Sequence, residues 1–359
     1  MSRKTTSPTI ADVAREAGVS TSTVSRILNE SPLVSDETLG KVRGAIQRLG
    51  YQPHSAARNL ALRRTNTLGV LLESVGSSFF ESVVDGAEEA AYAEGYSLLI
   101  TTPGHLIKGE RPALGPFNTD GLLIVAVQMK KKLYSFYQDG YPIISLYQPA
   151  PRSLHIPLVS VDNKRGAFKV VEHLIHEHGM TQIAYLRGPR GNFDSYWREV
   201  GYRQAMKRYK LAVDEHLLGD GGFRYPGARR TILNWIHEGH LPQAIFAGND
   251  EAALDVMLTL YGAGLRVPQD VAVVGFDDSI MAPNMVPPLT TVRAPGFEVG
   301  REAARQLLHL IHTGETTPLT LLPTELVIRS SCGCIPMSDH EPWIDLKKTI
   351  PSETTGISL

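Results

Sequence analysis

Two sets of polar residues have types and spacing that could do chemistry. The first lies in residues 18–29, GVSTSTVSRILN, where five of the six side chains from Ser20 to Ser25 are hydroxyls and Arg26 follows. Hydroxyl residues are mediocre helix formers because they compete for backbone hydrogen bonds. Yet Val24, Ile27 and Leu28 recur at helical spacing and make an inner rail, which leaves Thr21, Ser22, Ser25 and Arg26 on an outer one. Short hydroxyl side chains let a helix approach DNA closely and bond phosphates or base edges. An arginine can fork onto guanine O6 and N7. The second set is dispersed. Asn249-Asp250 follows AIFAG, Asp277-Asp278 follows VAVVGF, Arg198 opens a helical run, and Phe79, Trp197 and Phe223 stand near expected strand ends. Carboxylates, an amide and an arginine can fork onto sugar hydroxyls, and flat rings cover sugar C–H faces. Taken singly, an Asp after a strand is more often a turn or cap residue.

Other constellations point away from chemistry. His173, His176 and His178 in VEHLIHEHG match neither H-E-x-x-H nor H-x-x-E-H, and His178 does not share a helical face with His173. A solvated helix end is expected there. Cys332-x-Cys334 has no neighbouring Cys or His set in the sequence, so no metal is expected. Gly188-Pro189-Arg190-Gly191 is no dinucleotide fingerprint, and there is no G-x-S-x-G elbow. No enzyme and no cofactor are expected.

The elements that must carry these residues divide the 359-residue chain, which is long enough for two or three domains. Thr9 caps a helix from Ile10 to Ala17, Gly18 ends it, and Ser20 caps the next; Ser35 caps a third, Asp36 to Leu49, closed by Gly50. Two short helices about a glycine turn, backed by a third, make a helix-turn-helix. Residues 1–64 hold ten Lys/Arg against five Asp/Glu, a net +5, which leaves −6 for the remainder of a chain whose net charge is −1. A basic module on a mildly acidic body suggests that only the first part meets a polyanion.

From Thr67 the pattern is α/β with parallel sheets. Strands are expected at Thr67–Leu72, Tyr96–Thr101, Gly121–Val127, Pro142–Leu146, Val159–Asp162, Ile183–Arg187, Ala244–Ala247, Val271–Gly275 and Leu289–Arg293. Helices fit at Phe79–Glu94, Asn163–His178, Ser195–Lys210, Glu251–Ala263 and Glu298–Thr313. This is too much for one open sheet, and Asp162-Asn163 is a natural crossing between two lobes. No apolar run approaches the ~20 residues of a membrane span, and no secretory signal is visible, so the cytoplasm is the expected compartment.

Residues 9–64, beginning TIADVAREAGVSTSTVSRILN, resemble the DNA-binding headpiece of the lactose-repressor (LacI) family. The resemblance implies that Thr21 and Ser22 choose bases, with Arg26 a further base contact. It implies that Thr9, Ser20, Thr23, Ser25, Asn29 and Tyr51 hold phosphates or register. It makes Ala56–Ala61, with Ala57 and Leu60, a hinge helix whose leucine wedges the minor groove. His54 stands where the family usually has Asn. The stretches AIFAGNDEAALDVMLTLYGAGLRVPQDVAVVGFDD and LPTELVIRSSC are similar to the family's periplasmic-binding-protein-like core, which implies effector contacts at Phe79, Arg198, Phe223, Asn249 and Asp277.

The implied organisation is a headpiece at 1–53, a hinge and linker at 54–64, a two-lobed effector-binding and dimerisation domain at 65–334 with crossings near 162, 294 and 323, and a loose tail at 335–359. The family's Asn-Pro-Phe-Phe is Ser77-Ser78-Phe79-Phe80 here, and prolines and glycines in 103–118 argue that the usual N-lobe helix is short or absent. The implied function is a repressor that binds a near-palindromic double-stranded operator as a homodimer, under control of a sugar or sugar phosphate. The alternative is a solute-binding or transport-receptor protein with the same two-lobed body.

Overall fold

The computed structural model describes residues 8–28, 34–51, 64–74, 76, 78–105, 107–108, 111–127 and 140–335. Asn29, His54, Ala57, Leu60, the expected hinge helix and tail residues 336–359 lie outside the described residues.

Three helices form the N-terminal module: α1 (Ile10–Ala17), α2 (Thr21–Leu28) and α3 (Asp36–Leu49). Thr9 and Asp12 cap α1 reciprocally. The Asp12 amide donates to Thr9 Oγ1 at 3.3 Å, and the Thr9 amide donates to Asp12 Oδ2 at 2.9 Å. Gly18 ends α1 with φ 67°, and Ser20 Oγ accepts from the Thr23 amide at 3.1 Å to start α2. Val13, Ala14, Ala17, Val24, Ile27, Val42, Ala45 and Tyr51 form the small core.

The body contains two parallel sheets. The first has the order β13-β7-β6-β5-β1-β2, built from Thr67–Leu72 (β1), Ser97–Thr101 (β2), Gly121–Val125 (β5), Ile143–Leu146 (β6), Leu158–Val161 (β7) and Leu319–Leu322 (β13). The second has the order β11-β10-β8-β9, from Ile183–Arg187 (β8), Leu218–Asp220 (β9), Ala244–Ala247 (β10) and Ala272–Val274 (β11). Central strands such as β5, β6 and β7 are buried along their length, as parallel strands covered by helices on both faces must be. Helices α4 (Ser78–Ala93) and α9 (Gly296–Thr313) pack together on the first lobe. Helices α5 (Asn163–His178) and α6 (Phe193–Arg208) pack together on the second, with α7 (Arg229–His237) and α8 (Asp250–Gly262) completing its layers.

The chain passes between the lobes three times: from β7 into α5, from β12 (Thr291–Arg293) into α9, and from β13 into β14 (Glu325–Val327). Strands β12 and β14 pair antiparallel at the crossing. At the other end of the first lobe, Asp120 fixes the chain entering from the N-terminal module. Its Oδ1 accepts from the Thr65 amide at 2.7 Å and the Thr65 hydroxyl at 2.8 Å, and its Oδ2 accepts from the Asn66 amide at 2.9 Å.

The α/β class and the parallel sheets agree with the sequence reading. Strand β9, helix α7 and strands β13 and β14 are additions to it. The described residues of 103–118 carry turns and a short pair, β3 (Ile107–Lys108) with β4 (Arg111–Pro112), and no helix. Among the described residues no helix is long and apolar enough to cross a membrane.

Candidate ligand cleft and nucleic-acid interface

Strand ends from both lobes face a cleft of about 480 Å³. All five residues expected to touch an effector line it: Phe79, Arg198, Phe223, Asn249 and Asp277. Arg198, on the first turns of α6, is only 2 % exposed. It donates from Nε to Asn163 Oδ1 at 2.8 Å, from Nη1 to the Gly248 carbonyl at 2.6 Å and from Nη2 to Asp277 Oδ1 at 3.1 Å. Its guanidinium lies over the Phe276 ring at 3.7 Å and 5.4 Å from the Phe223 centroid. Three of its five N–H groups are therefore committed within the protein.

Asn249, Asp250 and Asp277 are held where the chain leaves a strand of the second sheet. Asn249 caps α8 by accepting from the Ala252 amide at 3.0 Å, and its Nδ2 reaches the Phe223 carbonyl at 3.3 Å. Asp250 accepts from the Thr291 hydroxyl at 2.6 Å and the Ser279 amide at 2.7 Å. Asp277 sits at φ 111°, a conformation that costs roughly 1–3 kcal/mol and persists only where neighbours over-determine it. Here the Asp277 amide donates to the Val292 carbonyl at 2.7 Å. The Phe223 ring rests directly on Gly188, where an added Cβ would stand 2.3 Å from its Cζ; only glycine permits that contact. Phe79 packs at 5.1 Å against the buried Tyr147 ring.

The cleft is rich in carboxyls. Burial pushes Asp194 and Asp250 up to about 6, against the pull of Arg198 on Asp194 and the Thr291 hydrogen bond on Asp250. Burial lifts Asp277 up to about 8, although Arg198 opposes it and the carboxylates of Asp250 and Asp194 add to the rise. Glu73 and Arg224 meet at 3.2 Å across the cleft mouth, one from each lobe.

On the N-terminal module, Thr21, Ser22 and Arg26 are exposed on α2, and Thr23 and Ser25 are half-buried. The Thr9 hydroxyl is engaged with Asp12 and the Ser20 hydroxyl with Thr23. Tyr51, expected to hold a phosphate or fix register, is 9 % exposed and packs in the module's core.

The family model "Bacterial regulatory proteins, lacI family" matches residues 9–54, and a "Periplasmic binding protein-like domain" model matches residues 171–332. The chain is 36% identical over 308 residues to the ribose operon repressor of Escherichia coli, which covers 84% of this chain and 93% of that protein. The chain belongs to the lacI family of bacterial regulatory proteins. Among solved structures of the family, it is similar to the lac repressor dimer bound to operator and the anti-inducer ONPF, with 26% identity, a TM-score of 0.78 and coverage of 91% of this chain and 99% of that one. It is also similar to the transcriptional regulator CelR in complex with cellobiose, with 30% identity, a TM-score of 0.67 and coverage of 90% and 99%.

Membership makes the chain a sequence-specific DNA-binding regulator, and the family model covers the two-helix unit. Several cleft residues escaped the sequence reading. Asp194 and Asn163 join at 2.8 Å behind Arg198, and Phe276 supports it from below. Asn163 directly follows the expected crossing, and Asp194 lies four residues before Arg198, but nothing in the pattern marked either. Two expectations change. Trp197 packs against Phe193 and Tyr196 rather than lining the cleft, and Asp278 is taken by Arg293 and Arg329 at 2.8 and 2.6 Å.

A third correction concerns the histidines and cysteines. His173 is buried rather than solvated, and its ring lies 5.2 Å from that of His178. Side chains on a helix lean toward its N-terminus, so the terminal His178 folds back toward the level of His173. Cys332 and Cys334, 159 and 161 residues along the chain from His173, come to rest beside them.

Proposed function

We propose that this protein represses transcription from an operator and that a neutral sugar bound in the interlobe cleft controls its grip on DNA. The observation that carries the ligand class is the composition of the cleft. Arg198, Asn249 and Asp277 offer forked polar contacts beside the Phe79 and Phe223 rings, a pairing that suits hydroxyls and C–H faces together. Asp194, Asp250, Glu73 and Glu251 outnumber Arg198 and Arg224 along its lining, and Arg198 is largely occupied. That balance opposes a phosphate group, so a neutral sugar is favoured over a sugar phosphate. The E. coli relative named for the ribose operon and the cellobiose-bound neighbour support the sugar class.

Thr21, Ser22 and Arg26 read bases, while Thr9, Ser20, Thr23, Ser25, Asn29 and His54 serve phosphates or register, with Ala57 and Leu60 at the minor groove. Two copies bind a near-palindromic site, a reading supported by the lac repressor, which binds its operator as a dimer. Exposed Tyr92, Leu99 and Ile100 on the first lobe, and Leu258, Tyr261, Ile280 and Val286 on the second, supply apolar surface for a partner copy. A regulator of this kind works where the chromosome is, in the cytoplasm. The ligand acts only through its different affinity for the DNA-bound and free conformations.

Thermal-shift measurements against pentoses, hexoses, disaccharides, their phosphates and purines test the ligand class, followed by operator gel shifts with the best ligand. A neutral sugar that shifts both melting and operator binding is the expected result. Response to sugar phosphates or purines alone would overturn the ligand assignment.

A further inference from the structure

Four side chains that can each ligate a metal, His173, His178, Cys332 and Cys334, gather at the end of α5. His173 Nε2 lies 3.6 Å from Cys332 Sγ and 3.5 Å from Cys334 Sγ, and His178 Nε2 lies 3.3 Å from Cys334 Sγ. All four donor atoms fall within 4.8 Å of one another. A zinc ion with Zn–N near 2.05 Å and Zn–S near 2.3 Å at tetrahedral angles needs N···S separations of about 3.6 Å. Three N···S separations match that requirement, and all four donors lie within 4.8 Å.

The surroundings are built for it. Cys332 is fully buried in a turn fixed by the Ser331 hydroxyl, which donates to the Val273 carbonyl at 2.6 Å and accepts from the Thr290 amide at 2.8 Å. Thr290 Oγ1 accepts from the Arg329 amide at 2.8 Å and donates toward Cys332 Sγ at 3.1 Å, the outer-shell donor that a thiolate ligand favours. Gly333 adopts φ 102°, which lets two cysteines one residue apart turn to the same centre. Gly179 closes the helix right after His178 at φ 65°.

We propose that His173, His178, Cys332 and Cys334 bind one zinc ion that pins the end of the second lobe's chain to α5. Two thiolates and two neutral imidazoles balance the charge of a divalent cation, and mixed nitrogen–sulfur sites suit zinc over harder ions. Four protein ligands leave no open position, so the centre is structural rather than catalytic. It lies roughly 15–22 Å along α5 from Asn163, so it is separate from the sugar cleft.

The test uses the untagged full-length protein, purified without chelator and analysed for metal by mass spectrometry, then stripped and reconstituted with cobalt. The expected results are about one zinc per chain, intense visible bands of tetrahedral cobalt–thiolate, and loss of both in Cys334→Ser and in His178→Ala, the half-buried ligand chosen in case a cysteine variant misfolds. Chelation should lower the melting temperature and expose both thiols to Ellman's reagent. Metal-free protein that gives only weak octahedral cobalt bands would overturn the proposal. So would a Cys332–Cys334 disulfide in the protein as isolated, or unchanged zinc content in both variants.

Discussion

Replacing Arg198 by lysine keeps the charge and discards the fork. Lysine's ammonium is a compact donor on a flexible stem and cannot reach Asn163 Oδ1, the Gly248 carbonyl and Asp277 Oδ1 together, nor lie flat over Phe276. Two of the three acceptors lose their donor inside a buried site, at about 1–1.5 kcal/mol each, and loss of the stack adds about 1–2 kcal/mol. The sum is about 4 kcal/mol, which at about 2–4 °C per kcal/mol lowers the melting of this lobe by about 8–16 °C. Trp197 and Trp235 lie on α6 and α7 of the same lobe, so tryptophan fluorescence follows its transition. Asp277→Asn is the control: it keeps the other two arginine bonds and an amide oxygen where the carboxyl oxygen accepts, so it should cost about 1–2 kcal/mol. A lysine variant that melts within about 1 kcal/mol of the parent, or above Asp277→Asn, would refute the view that Arg198 organises the cleft by geometry rather than by charge.

Arg26→Ala should weaken operator binding by about 1–3 kcal/mol and relax its sequence preference; equal weakening on operator and random duplex in gel shifts would remove Arg26 from base reading. Gly188→Ala should push the Phe223 ring out of the cleft and lower sugar affinity in calorimetry while operator affinity stays unchanged. The Asp250 carboxyl is raised in the folded protein, so its protonation favours the fold: that stability is full below the ordinary carboxyl range and fades as pH rises through about 6. Parent protein should therefore lose roughly 2 kcal/mol relative to Asp250→Asn between pH 4 and 7, and parallel melting curves for the two would sink this.

What the sequence revealed follows from how far apart the cooperating residues lie. The α2 signal sits in twelve consecutive residues, so helical period and capping chemistry expose it directly. Asn249 and Asp277 are legible because strand ends in parallel sheets point at ligands, a rule that needs only the ends of AIFAG and VAVVGF, whereas Phe79, Arg198 and Phe223 take their effector role from the family resemblance. Asn163, Asp194 and Phe276 escaped it because their part in the cleft is to hold Arg198, and support of that kind has no period. Strands β9, β13 and β14 are three or four residues long, too brief to show against loops. The His–Cys group was illegible for a plainer reason: spacing rules for metal sites assume ligands close in sequence, and this one joins a helix end to a turn about 160 residues away.

The bonds from Asp120 to Thr65 and Asn66 have a mechanical meaning. They act as a rigid coupling where the sheet of the first lobe hands over to the DNA-binding side. Were that sheet to tilt, these bonds would carry residue 65 with it, as a keyed joint carries a shaft. Removing the carboxylate would introduce backlash: the lobes could still swing with ligand, yet part of each swing would be absorbed before it reached the operator.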